Sequence, residues 1–213
     1  MKLTVFGATG RIGGHVVQQA LDAGHTVTAV VRDPARLGVR PHRALEVVPV
    51  AGLAGPAPLP VALDSSDAAI SAVGPRSRAD IHVASSATRG ILRALDANGT
   101  RRFVAVTASA IGPIPADEGW LYRRVLIPLV TVLLRDIYAD MTVMEDEIRR
   151  SATEWTIVRP PRLVNRPLTR NYRRAIGGNV PRAGSISRAD VAHAMLAVLD
   201  DPATIRQAVG VGG

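Results

Sequence analysis

Short, nearly unbroken apolar runs alternate along this chain with longer segments whose apolar residues recur every three or four positions. The first kind suits strands buried on both faces of a parallel sheet, and the second suits helices that cover such a sheet. The runs predict strands at Lys2–Phe6, Thr26–Val31, Glu46–Val50, Ala68–Ala72, Phe103–Thr107, Thr156–Val158 and Gln207–Val211. Between them the helical period predicts Arg11–Ala23, Ile81–Ala97, a broken pair across Gly119–Arg150, and Arg188–Leu199. Ile137, Met141, Met144 and Ile148 fall on one helical face, which reads as core. Ser187, followed by Arg188-Ala189-Asp190, predicts a capping box with Ser187 as N-cap of the last long helix. This β–α alternation predicts an α/β fold with a doubly wound, mostly parallel sheet and helices on both faces.

Two stretches break the rhythm. Ala51 to Pro60 is rich in proline and glycine where a crossover helix belongs, so that helix is expected to be short or missing. Pro160 to Ser185 carries the same residues in quantity and is expected to form a small substrate-side lobe near 160–185. Residues 1–213 otherwise read as one domain, with no internal repeat beyond the β–α period.

The most specific motif is Gly7-Ala8-Thr9-Gly10-Arg11-Ile12-Gly13, between the first predicted strand and the first predicted helix. Strand, glycine loop and helix in that order build a seat for a dinucleotide pyrophosphate, as in Rossmann-type domains. Gly7 allows the tight turn, Gly10 lets backbone N–H groups approach the phosphates, and Gly13 lets the helix pack closely. The positive end of the helix faces the anion. The second strand ends at Arg32, where the adenosine ribose is read. Arginine there suits the 2′-phosphate of NADP, whereas an acid suits the 2′-hydroxyl of NAD. Arg36 sits one turn on and Arg11 projects from the loop, so three guanidiniums are available. Asp33 keeps NAD(H) open as the second choice. Val73 and Gly74 follow the fourth strand, and Thr107 ends the fifth with Ser109 just past it. Both pairs stand at the carboxyl edge, where ligands bind in doubly wound sheets.

Composition narrows the rest. The 213 residues contain no cysteine, which removes disulfides, thiolate metal sites and cysteine nucleophiles. No residues are assigned to a metal. The net charge of +8 is spread over scattered arginine pairs (Arg101-Arg102, Arg123-Arg124, Arg149-Arg150, Arg173-Arg174), so no specific nucleic-acid partner is expected. The apolar segment Val125 to Leu134 contains Pro128 and is too short to span a bilayer. With no signal peptide read at the start, the expectation is a cytoplasmic monomer or homodimer acting on a small molecule.

Taken with Val31-Arg32-Asp33, Arg36, Thr107-Ala108-Ser109-Ala110, Pro160-Pro161, Pro167-Leu168-Thr169 and Ile186 to Asp190, the glycine motif resembles the atypical short-chain dehydrogenase/reductase superfamily. The branch it is similar to is the NAD(P)H-binding, NmrA-like one, and within it the biliverdin reductase B (flavin reductase) type. The resemblance covers nearly the whole chain. It implies that Arg32 and Arg36 hold the 2′-phosphate, that Thr9 to Ile12 wrap the pyrophosphate, and that Ser109 lies beside the nicotinamide. It also implies that the Pro160-Pro161-Arg162 turn flanks the active site, with Arg162 where that type has histidine. The Tyr-x-x-x-Lys pair of carbonyl-reducing relatives is absent, because Thr142 follows Tyr138 at the lysine position. Tyr138 therefore stays a candidate acid alongside its reading as a packing residue. The Asp that the family carries after its third strand is also missing, at Ala51-Gly52. The leading expectation is an NADP(H)-dependent reductase that passes hydride to a flavin, quinone or tetrapyrrole, with Ser109 and Arg162 on the substrate. A non-catalytic NmrA-like NADP-sensing regulator is the alternative, and a sugar epimerase or dehydratase comes last.

Overall fold

A computed structural model describes residues 1–55, 63–75, 77, 80–115, 118–120, 124 and 127–213. The prolines of 56–60, with Arg76, Arg123 and Val125, lie outside the described residues.

The apolar runs form β1 (Lys2–Phe6), β2 (Thr26–Val31), β3 (Leu45–Pro49), β4 (Ala68–Ser71), β5 (Arg102–Val106), β6 (Glu154–Arg159) and β10 (Gln207–Gly212). With β8 (Arg173–Ile176) they make an eight-stranded sheet in the order β3-β2-β1-β4-β5-β6-β10-β8. Every neighbouring pair is parallel except β10 with β8. The doubly wound, mostly parallel sheet is thus as its pattern predicts. Strand β8 went unpredicted because Arg-Arg-Ala-Ile has no apolar run, as suits an edge. Strands β7 (Arg162–Val164) and β9 (Ser185–Ser187) pair as a separate two-stranded parallel sheet. At three residues each they are too short for periodicity to register.

The helices are α1 (Arg11–Asp22), α2 (Val83–Asn98), α3 (Ile127–Leu133), α4 (Arg135–Arg150) and α5 (Arg188–Ala197). Leu3 and Val5 of β1 pack in one core cluster with Val16 and Val17 of α1 and Val191 and Met195 of α5. Phe6 points into a second, with Ile91 and Leu95 of α2 and Met144 and Ile148 of α4. Alternation along one strand therefore feeds both helical layers. None of the helices among the described residues is long and apolar enough to cross a membrane.

The predicted stripe on α4 is only half apolar core. Met144 and Ile148 are fully buried, Ile137 and Met141 half-buried, and Asp140 and Glu145 share the buried side. Asp140 accepts the backbone N–H groups of Ala84 (2.9 Å) and Ser85 (3.2 Å), and so caps α2 from a neighbouring helix. The residue in the cap position, His82, has a left-handed backbone and makes no side-chain cap. Arg102 is likewise buried, unlike its exposed neighbour Arg101, and donates to the carbonyls of Val198 and Leu199 just past α5. A cation there meets the negative end of the helix.

The Ala51–Gly55 stretch forms no helix. It lies against Gly90 of α2, where a Cβ would stand 1.7 Å from the Leu53 carbonyl oxygen. Arg93 binds the Ala54 carbonyl one turn further along, at 3.0 Å. Gly90→Ala is expected to lower the unfolding free energy by roughly 2–3 kcal/mol, as overpacking does. Urea denaturation reads this, and an unchanged midpoint would show that the 51–55 stretch gives way freely.

Candidate functional site

The turn from β1 into α1 is built on close backbone approaches. Gly7 has φ +77°, and a Cβ on it would fall 2.7 Å from the Ala72 carbonyl carbon and 2.9 Å from the Val73 nitrogen, at the end of β4. A Cβ on Gly13 would overlap the Gly7 carbonyl oxygen at 2.1 Å, and one on Gly10 would stand 3.0 Å from it. The Gly10 N–H donates to that same oxygen at 2.8 Å. Thus Gly7, Gly13 and Val73 meet at one point of the carboxyl edge. Gly74 has open space where its Cβ would be, so packing does not demand glycine there. Thr9, Gly10 and Ile12 are half-buried and Arg11 is exposed at the first position of α1. The first N–H groups of a helix lack intrahelical partners and point out of its end.

At the end of β2, Arg32 and Arg36 are exposed, and neither enters an ion pair among the described residues. Asp33 is already used. Its carboxylate accepts the Ala35 N–H at 3.1 Å and caps the short 3₁₀ turn Pro34–Arg36. Glycines that a Cβ would fill, a helix N-terminus and two unneutralised guanidiniums past β2 are the donor set that a phosphorylated dinucleotide requires.

The ends of β5 and β6 hold the second half of the edge. The Thr107 N–H binds the Val158 carbonyl at 2.9 Å and the Ser109 N–H binds the Pro160 carbonyl at 2.9 Å, so the two segments run together past their strands. Thr107 turns its hydroxyl inward to Glu145 Oε1 at 2.7 Å, which leaves Ser109 as the more open hydroxyl. Glu145 has no exposed surface; it also receives Arg159 Nε at 2.9 Å and Arg149 Nη2 at 2.6 Å. Burial pushes its carboxyl upward, but the Arg159 hydrogen bonds and charge, with Thr107 and Arg149, outweigh this and leave it below the ordinary glutamate range.

Ser109, Gly112, Pro161, Asn179 and Arg159 line one concavity at this edge. Gly112 leaves room for the guanidinium, since a Cβ there would lie 2.6 Å from Arg159 Nη1. Asn179 Nδ2 donates to the carbonyls of Ser109 (2.7 Å) and Pro113 (3.0 Å), which fixes the amide orientation. Its Oδ1 is buried and has no hydrogen-bond partner among the described residues. Arg162, on β7, is exposed and is not among the residues lining this concavity, and it forms no ion pair among the described residues. Tyr138 is half-buried on α4 and is not among the residues lining the concavity, and its carbonyl accepts the Thr142 hydroxyl at 2.8 Å. The chain's only lysine, Lys2, sits at the opposite edge of the sheet on the Asp64 carbonyl. Its place there rules out a Tyr–Lys couple with Tyr138. Arg159, Glu145 and Asn179 carried no sequence signal, because each acts through partners distant in the chain.

Past β7, Asp190 receives the Ser187 hydroxyl, the Thr169 hydroxyl and the backbone N–H groups of Thr169 and Arg170. Ser187 accepts the Asp190 N–H at 2.9 Å as the predicted N-cap. Burial would raise the Asp190 carboxyl, yet these hydrogen bonds together lower it.

Residues 7–202 match a family model described as NAD(P)H-binding. A chloroplastic protein of Arabidopsis thaliana, itself uncharacterized, is 32% identical over 183 residues. That match takes in 80% of this chain, which spans only 62% of the relative's length. Among solved structures, a wide-type short-chain dehydrogenase/reductase from Veillonella parvula in complex with NADP superposes with a TM-score of 0.76 at 21% identity, covering 100% of this chain and 94% of the other. A Streptococcus pneumoniae protein named as an NADH-flavin reductase gives 0.77 at 21% identity, covering 100% and 99%. At these identities the structures share the fold.

Glu145→Gln leaves Arg159 buried without its counter-charge and is expected to cost about 3–5 kcal/mol of stability at neutral pH. Because the folded carboxyl titrates lower than the unfolded one, its contribution is complete above about pH 4.3 and fades as pH falls toward the lowered value. Denaturant unfolding at stepped pH should show a shallower acid slope in the variant, and identical slopes would refute the role.

Proposed function

This chain belongs to the NAD(P)H-binding family, and we propose that it is an NADP(H)-dependent reductase for a planar, electron-poor acceptor of flavin or tetrapyrrole type. The observation that carries the cofactor choice is the state of Asp33. An acid after β2 would favour the ribose hydroxyl of NAD, but this one caps its own turn while Arg32 and Arg36 stay uncompensated. Within the family, the Thr107–Ala110 and Pro160–Pro161 motifs favour the atypical, NmrA-like branch, on the side of the biliverdin reductase B type. The neighbour named as a flavin reductase supports that placement.

In this reading Gly7, Thr9, Gly10, Ile12 and Gly13 seat the pyrophosphate through backbone N–H groups. Arg32 and Arg36 clamp the 2′-phosphate, while Val73 and Gly74 border the ribose. The bound nicotinamide supplies hydride. Ser109 orients the acceptor, and the segment from Pro160 to Ser187 closes its side of the site as the substrate-side lobe. Arg159 brings positive charge to the concavity where the reduced acceptor gains negative charge, and Glu145 holds that guanidinium in place. The Asn179 Oδ1, unpartnered among the described residues, calls for an N–H donor on the acceptor. Flavins and tetrapyrroles carry one, whereas quinones do not, which narrows the acceptor class. With Lys2 at the far edge and Tyr138 not among the residues lining the concavity, no Tyr–Lys couple stands ready and the proton is taken from solvent.

A second reading, an NADP-sensing regulator without turnover, draws on the same absence of a Tyr–Lys couple. NADPH oxidation against flavins, tetrapyrroles and quinones separates the two. Flavin or tetrapyrrole turnover is expected, and NADPH binding with no turnover above background would overturn the reductase reading in favour of the sensor. Arg32→Glu should weaken NADPH roughly 10–100-fold, the worth of a charged hydrogen bond, and change NADH only slightly. Equal losses would refute the 2′-phosphate role. Ser109→Ala should lower kcat/KM about tenfold with NADPH affinity unchanged; full activity would remove Ser109 from the site.

A further inference from the structure

A second concavity, of about 500 Å³, opens between the start of α1 and the start of α5 and is lined by Arg11, His15, Asn165, Arg166, Pro167 and Arg188. It has three arginines and a histidine, and no acidic residue is among its lining. Arg11 and Arg188 are the first residues of their helices, which pack against each other. His15 is one turn below Arg11 on the same face. Asn165 and Arg166 come from the loop after β7.

The four basic side chains gather with little to neutralise them. Arg188 Nη1 donates to the neutral Asn165 Oδ1 at 2.7 Å, and none of Arg11, Arg166 and Arg188 forms an ion pair among the described residues. The buried acid two residues on from Arg188, Asp190, is saturated by Ser187, Thr169 and Arg170. Burial, and after it the charge of Arg11, lowers the Arg188 pKa, so the two guanidiniums feel each other. Like charges held together in this way cost free energy until an anion joins them.

Neither Arg32 nor Arg36 lines this pocket. They follow β2, whereas Arg166 and Arg188 come from the chain beyond β6, which the proposed function gives to the second substrate. We propose that Arg11, His15, Arg166 and Arg188 form a seat for a phosphate monoester carried by a ligand other than the dinucleotide. Three guanidinium forks beside an imidazole match a doubly charged tetrahedral oxyanion better than a single carboxylate. The seat is read from its own residues and does not require that a dinucleotide binds.

Calorimetric titration of the full chain with inorganic phosphate, alone and in saturating NADPH, tests it. Phosphate is expected to bind in both conditions, shifting the NMR signals of the His15 ring. Arg166→Gln and Arg188→Gln should each weaken it about tenfold or more, leave NADPH affinity within about threefold, and leave the melting temperature unchanged. Arg166 is exposed, so its loss does not threaten folding. Arg32→Glu should leave phosphate binding in this pocket intact. Displacement of phosphate by NADPH, or parallel loss of NADPH and phosphate in the variants, would assign the pocket to the dinucleotide and overturn the proposal. Phosphate affinity unchanged in both variants would overturn it as well. A chain that bound phosphate but no NADPH would contradict the proposed cofactor and not this seat.

Discussion

One carboxylate with no contact to solvent ties the β5–β6 half of the edge together. Glu145 comes from α4, takes the Thr107 hydroxyl at the end of β5 and the Arg159 guanidinium at the end of β6, and pairs with Arg149 on its own helix. An ionised acid in that position is tolerated only because four donors surround it. In return it ties Thr107, just past β5, to Arg159 at the end of β6 and holds that guanidinium at the concavity. Ser109, Pro161 and Asn179 take their places from those strand ends, through the Pro160 and Ser109 carbonyls.

The other half of the edge rests on backbone contacts and carries no buried charge. Gly7 touches the end of β4, Gly13 touches Gly7, and the start of α1 is fixed by both. These are contacts that no side chain can share, so the motif is rigid by exclusion. The two halves therefore differ in how they tolerate change. Small additions at the glycines displace backbone, whereas changes at Glu145 or Arg159 leave a charge without its partner. Positive charge is spread along both halves. It lies open at Arg32 and Arg36, buried at Arg159, and gathered between α1 and α5 at Arg11, Arg166 and Arg188.

Much of this was legible in the chain itself. The apolar runs mark seven strands to within a residue or two, because a strand covered on both faces must be apolar almost throughout. Ser187 announces its cap, since the hydroxyl and the N–H it binds are three residues apart. The glycine spacing is equally local. Strands β7, β8 and β9 were not legible, being short or polar at the edge. The α4 stripe reads as plain core, yet Asp140 and Glu145 lie on the same buried side, because periodicity cannot see partners on other elements.

The sequence by itself determined the parallel α/β sheet, the glycine turn and the placing of arginines after β2, since each depends on residues near one another in the chain. Only the tertiary structure decided that Arg102 and Arg159 are buried. It alone decided that Asn179 stands beside Ser109 and that Arg11 meets Arg188. Those outcomes turn on which distant donor reaches which acceptor. Charge and hydrogen-bond satisfaction are properties of position in space, and composition and period do not encode them.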